Sequence, residues 1–233
     1  MALTGNFQLL TDRNGIIMET AKNTEEYIQN LRMTIAQNPE CGTSRYNMAV
    51  ALLSQRKFEE AEKEFREAID CSPGMVEAYV QLGGICMQRG DLEGCLAYNK
   101  KAVQLRPSFS EGYGNIGFVY MQLGKIDEAI QALERATFFN FRFVQALTTL
   151  ANAYLMKGEI DKCIETNLKA VAIQPDFAVA HNNLAIAYLE KGEKRLAVEH
   201  ADKAVELGYE MAPEILQEIA LTRKELGGEG NAS

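Results

Sequence analysis

Apolar residues recur along the chain at helical spacing in paired runs, and glycine-led turns separate the two runs of each pair. Three segments repeat one pattern: KFEEAEKEFREAIDCSP from residue 57, DLEGCLAYNKKAVQLRP from 91 and IDKCIETNLKAVAIQP from 160. Their last residues are Pro73, Pro107 and Pro175, so the intervals are 34 and twice 34 residues. The missing register falls at Phe141, where KIDEAIQALERATFFNF is the same unit with its proline replaced; Pro39 lies one period upstream. Gly90, Gly124, Gly158 and Gly192 share one position, which suits the left-handed residue just past a helix; Arg56 stands there in the first unit. Acid-rich starts such as GDLEG and GKIDEA then suit the first turn of the next helix. No pattern of period two competes, so each unit is predicted to be a helical hairpin and the chain all-α.

The residues at fixed places in each unit are equally regular. In EGYGNIGFVY the group is Tyr113, Ile116, Gly117 and Tyr120, followed on the second helix by Ala129, Leu133 and Ala136. The first unit supplies Ala61, Phe65, Ala68 and Pro73, and the second supplies Tyr79, Leu82, Gly83, Ala102 and Pro107. The fourth has Leu147, Leu150, Ala151, Tyr154, Ala170 and Pro175. The fifth has His181, Leu184, Ala185, Tyr188, Ala197 and Ala204, with Tyr209 in place of proline. This pattern resembles the tetratricopeptide repeat, in which small residues let helices approach and large ones fill the gaps.

The resemblance implies a right-handed α-solenoid of five repeats, at 42–75, 76–109, 110–143, 144–177 and 178–211. Residues 1–41 read as a degenerate helical segment or partial repeat, with helices expected near 6–21 and 24–38. Residues 212–226 read as a capping helix that sets Ile215, Leu216, Ile219 and Leu226 on one stripe, and 227–233 as a disordered tail.

Composition narrows the partners. The chain has 233 residues, 24 Lys plus Arg against 32 Asp plus Glu, and a net charge of −8. No basic block interrupts that balance, so neither nucleic acid nor an anionic membrane is an expected partner. No apolar run reaches the roughly 18–20 residues that span a bilayer, and no export signal is read at the start, so the expected location is cytoplasmic. Cys41, Cys71, Cys86, Cys95 and Cys163 show no metal-ligand spacing, and their register makes all five small buried packing groups. His181 takes a framework position, and His200 lies on another segment without a catalytic entourage. No nucleotide loop, nucleophile elbow or zinc spacing is present, so no enzyme activity, cofactor or metal is expected.

In a tetratricopeptide fold the first helices line a concave groove, and repeat positions 2, 5, 6, 9, 12 and 13 face it. Position 6 reads Asn47, Gln81, Asn115, Thr149 and Asn183. Neighbouring positions add Tyr46, Val50, Val80, Met87, Phe118, Met121, Thr148, Asn152, Asn182 and Ile186. This amide-rich, apolar wall resembles the asparagine ladder that some family members use against an extended peptide, since a carboxamide both donates and accepts. The alternative role for these asparagines is to bond neighbouring repeats. Positions 2 and 5 hold Thr43, Glu77, Glu111, Gln145 and Val179, then Tyr46, Val80, Gly114, Thr148 and Asn182, which provides no basic clamp for a terminal carboxylate. The implied function is a protein-interaction adaptor that binds an extended segment of a partner protein.

The stretch FFNFRF at 138–143 supplies a rival. Register makes Phe139 and Phe143 framework, but Phe138 falls where other repeats have Asp70, Gln104, Ala172 and Glu206, and Phe141 falls on the proline position. These two form either an exposed docking patch or a local repacking around the lost proline. In the first case the chain is a homo-oligomeric scaffold, self-assembling through this patch or its N-terminal segment.

Overall fold

The structure is a computed structural model that describes the backbone of residues 21–229 and the side chains of 25–226. The helix expected near 6–21 and residues 230–233 of the expected tail fall essentially outside the described residues. Every element among the described residues is a helix. In chain order these are α1 (Ala21–Gln37), α2 (Gly42–Ser54), α3 (Phe58–Cys71), α4 (Val76–Gln88), α5 (Leu92–Leu105) and α6 (Ser110–Gln122). They continue as α7 (Ile126–Phe139), α8 (Val144–Met156), α9 (Ile160–Ile173), α10 (Ala178–Lys191), α11 (Lys194–Glu206) and α12 (Pro213–Glu229). Two compact units divide between Ala78 and Tyr79, inside α4.

In the first unit α1 packs on α2, and α2 pairs with α3 around Ala61, Phe65 and Ala68, each fully buried. Tyr46 lies against Phe65 with ring centroids 5.5 Å apart. In the second unit α6 pairs with α7, α8 with α9 and α10 with α11, while α6, α8 and α10 also pack side by side. One core runs through these hairpins from Tyr113 to Ile219.

The hairpin crossings require small side chains. Cys95, Ala129, Cys163 and Ala197 share one register and are essentially inaccessible to solvent. Burial pushes the Cys95 thiol up to about 12 and the Cys163 thiol up to about 11, so both stay protonated and act as packing groups. A Cβ on Gly117 would overlap the branch carbon of Leu133, itself fully buried, so bare backbone is needed there for α6 to meet α7.

The turns behave as their residues require. The shared turn glycines adopt left-handed φ values of 69–79°, and Arg56 is forced to φ 59° in the same place. At the α7–α8 turn, where proline is lost, the Asn140 Oδ1 accepts from the Arg142 backbone N–H at 3.1 Å. That side-chain turn does part of what a fixed φ does in the other repeats.

Three sequence expectations change. Cys41, Cys71 and Cys86 are only half-buried, because they sit at helix ends or on a half-covered face. Cys41 precedes α2, where the Ser44 hydroxyl donates to its sulfur at 3.1 Å, and the Ser44 hydrogen bonds hold its pKa below the ordinary thiol value. On α12 the buried stripe uses Ile219 and Thr222, flanked by half-buried Ile215 and Leu226, whereas Leu216 is exposed. Helix α12 also extends through residues 227–229.

Two substitutions test this packing by urea unfolding. Arg56→Gly relieves a left-handed side chain and is expected to stabilise the chain by about 1 kcal/mol. Gly117→Ala is expected to destabilise it by roughly 1–3 kcal/mol through overpacking. Equal midpoints for both variants and the parent would contradict the account.

Candidate functional site

Helices α6, α8 and α10 lie side by side in the second unit, so residues at one register position form a row across them. Position 6 places Asn115, Thr149 and Asn183 in that row. Asn115 and Thr149 are half-buried, and Asn183 is 9% exposed. Phe118 and Met121 on α6 and Ile186 on α10 are half-buried, Asn152 on α8 is exposed, and Asn182 is buried. On α4, Gln81 and Met87 are half-buried and Val80 is buried. Tyr46, Asn47 and Val50 lie on α2 of the first unit, all half-buried.

The row's polar groups are already partly engaged. Asn115 Nδ2 donates to Asn99 Oδ1 at 3.0 Å, bonding α6 to the preceding helix α5. The Thr149 hydroxyl donates to the Gln145 carbonyl at 2.8 Å, one turn back in its own helix. Asn183 Nδ2 donates to the Thr148 carbonyl on α8, and Asn182 Nδ2 donates to Asn183 Oδ1, both at a long 3.4 Å. Bonds between neighbouring repeats are therefore present. The half-exposed Asn115 still has a carboxamide oxygen and a second N–H, and Thr149 has hydroxyl lone pairs.

Glu111, Gln145 and Val179 stand at position 2 of the three first helices, and none is basic. Position 2 thus offers nothing to pair with a free carboxylate, its one charge being the acidic Glu111, while the row at position 6 is neutral. Among the described residues no three His, Cys, Asp or Glu side chains gather as a metal site. No described helix is long and apolar enough to cross a membrane.

The two histidines lie apart in the sequence, but the hairpin of α10 and α11 brings them together. His181 Nε2 lies 2.9 Å from the Pro175 carbonyl, which can only accept, so that nitrogen carries the proton. His181 Nδ1 then accepts from His200 Nδ1–H at 3.0 Å. The His200 ring stacks on Tyr188 at 5.5 Å. Two side chains 19 residues apart on different helices leave no local signature of such a pair.

The FFNFRF residues separate clearly. Phe143 packs against Gly114, where a Cβ would stand 2.8 Å from its ring. Phe139 is less enclosed than its register implied: one face stacks on Tyr113 at 5.8 Å, and 41% of the residue stays exposed. Phe138 and Phe141 are 80% and 72% exposed, so the lost proline has not drawn either ring inward.

Family models of the tetratricopeptide repeat match residues 28–76 and 46–108, and 110–137 and 178–207; a TPR-repeat model matches 151–192. No curated protein matches the sequence. Among solved structures, MamA is 28% identical with a TM-score of 0.62, covering 69% of this chain and 94% of MamA. YrrB, described as a TPR protein with an unusual peptide-binding site, is 20% identical with a TM-score of 0.64, covering 77% of this chain and 93% of YrrB. PilF of Pseudomonas aeruginosa is 18% identical with a TM-score of 0.71, covering 89% of this chain and 90% of PilF. The last two likenesses carry the fold alone.

His200 makes stability depend on pH. Burial, and then the neighbouring His181, hold the His200 imidazolium below its ordinary value. The unfolded chain therefore binds a proton that the folded chain resists, so this contribution is full above about 6.5 and falls as pH drops below it. Thermal melts from pH 7.5 to 5.5 should show that fall, and His200→Gln should flatten it. An unchanged slope in the variant would contradict the assignment.

Proposed function

We propose that this chain, which belongs to the tetratricopeptide-repeat family, is an adaptor that holds an extended peptide segment of a partner protein against the wall of α6, α8 and α10. The family is in general a non-enzymatic protein-interaction module, and an all-α solenoid suits that role. The observation that carries the finer reading is the row of neutral hydrogen-bonding groups at Asn115, Thr149 and Asn183, bordered by Phe118, Met121 and Ile186. An extended backbone offers an N–H and a C=O at regular spacing, and neutral amides meet both without the desolvation cost of a buried charge. The apolar neighbours supply pockets for the segment's side chains. Each such bond contributes about 0.5–1.5 kcal/mol net, so a short row fits micromolar, exchangeable capture. The five free thiols suit a reducing compartment, the cytoplasm.

Peptides selected from a random display library on the full chain test this reading. The double substitution Asn115→Ala with Asn183→Ala should weaken their binding about tenfold, with helicity by circular dichroism unchanged. Undiminished affinity would remove the wall from the account.

A second reading rests on a different observation, the exposure of Phe138 and Phe141. Aromatic area of that kind, packed by Phe138 edge-on against Phe139 at 5.3 Å, is a surface for self-association. Sedimentation should then show a concentration-dependent oligomer that Phe138→Ser with Phe141→Ser abolishes. A native chain that stays monomeric at all concentrations would sink this reading.

A further inference from the structure

The second unit contains the same three-residue arrangement twice, two periods apart, closed in one copy and open in the other. In the closed copy Asn99, fully buried on α5, donates through Nδ2 to the Cys95 carbonyl at 2.8 Å. That bond fixes the amide's orientation and points Oδ1 towards α6, where Asn115 donates to it at 3.0 Å. In the open copy Asn167, also fully buried, donates to the Cys163 carbonyl at 3.1 Å. Its Oδ1 has no hydrogen-bond partner. The residue that should supply one is Asn183, the counterpart of Asn115, but its Nδ2 instead makes the 3.4 Å contact to the Thr148 carbonyl.

The two copies also differ in the neighbouring first helix. The Asn99 amide lies over Gly83, where an added Cβ would overlap Nδ2. The register equivalent of Gly83 is Ala151, which carries a Cβ; both amides still donate to the carbonyl four residues back, at 2.8 and 3.1 Å, so the two copies differ in what meets Oδ1. A buried carbonyl oxygen without a donor is costly, and both bonds of Asn183 are long enough to be weak.

We infer that Asn183 is a two-position rung, turning its donor from the Thr148 carbonyl to Asn167 Oδ1 when an extended peptide backbone occupies the wall. The inference rests on the groove reading above and deepens it. In the second position Asn183 makes the bond that Asn115 already makes, and its own oxygen is released from Asn182 to accept a peptide N–H. Asn115 is thus a rung set in advance, and Asn183 one that the ligand sets. Asn167 never touches the peptide; it is a positioning residue that acts through Asn183.

Leucine is close to asparagine in size and has no acceptor, so register-equivalent substitutions should have opposite effects. Asn167→Leu removes an orphaned acceptor and should raise the melting temperature by roughly 2–8 °C, while Asn99→Leu breaks a satisfied pair and should lower it by as much. With a peptide from the display selection as probe, Asn167→Leu should nonetheless bind roughly 3- to 10-fold more weakly. Gain of stability with loss of affinity is not what a purely structural residue gives. As a measurement on the unmodified chain, the same peptide should shift the Asn183 side-chain amide signals in a 15N spectrum and slow their hydrogen exchange. If Asn167→Leu lowers the melting temperature as Asn99→Leu does, Asn167 Oδ1 is already satisfied in solution by an ordered water and the inference fails. If the peptide binds Asn167→Leu as it binds the parent, while Asn115→Ala loses it, the inference fails and the groove reading stands. If no selected peptide depends on Asn115, both fail together.

Discussion

The structure depends on how closely two helices of a hairpin can approach. At each crossing the chain places a side chain no larger than a thiol, in the series Ala61, Cys95, Ala129, Cys163 and Ala197, and each is almost fully buried. Close packing of this kind fills the interior with methyl groups and leaves little volume for anything else. The turns follow from the same closeness, since a short reversal between packed helices needs a left-handed residue at its start. Arg56 shows that the geometry is imposed even where glycine is missing. With one face of each first helix held by its own hairpin, the opposite face of α6, α8 and α10 is available as a wall.

The position-6 row of that wall carries no formal charge, and its chemistry is set by which hydrogen bonds the fold has already used. Asn115 and Asn183 each bond a neighbouring repeat, yet they do so differently, at 3.0 Å to a buried amide and at 3.4 Å to a helix carbonyl. A row of otherwise equivalent residues therefore contains unequal rungs. The inequality accompanies a change at one register position, Gly83 on α4 against Ala151 on α8.

Sequence periodicity made the hairpins legible because each repeat states the same packing rule again, and five statements average out local noise. Buried alanines, turn glycines and the framework role of Phe143 all follow from register. What register could not give were contacts made by side-chain conformation between elements. The His181–His200 bond, the Asn115–Asn99 bond and the partial exposure of Phe139 depend on rotamers and on neighbours from another helix. The cysteines at helix ends looked like core because their register partners are apolar, but a helix terminus covers less surface than a crossing. On α12 the apolar residue Leu216 suggested the stripe, whereas spacing from Ile219 selects Thr222. The position of the candidate rungs was readable; their hydrogen-bonding state was not.

The central claim is that the inner faces of α6, α8 and α10 hold an extended peptide. A backbone 1H–15N shift map of the full chain, titrated with a display-selected peptide, addresses it most directly. The account predicts perturbations concentrated around Asn115, Phe118, Thr149, Asn183 and Ile186. Perturbations centred instead on Phe138 to Phe141, with that row unmoved, would contradict it.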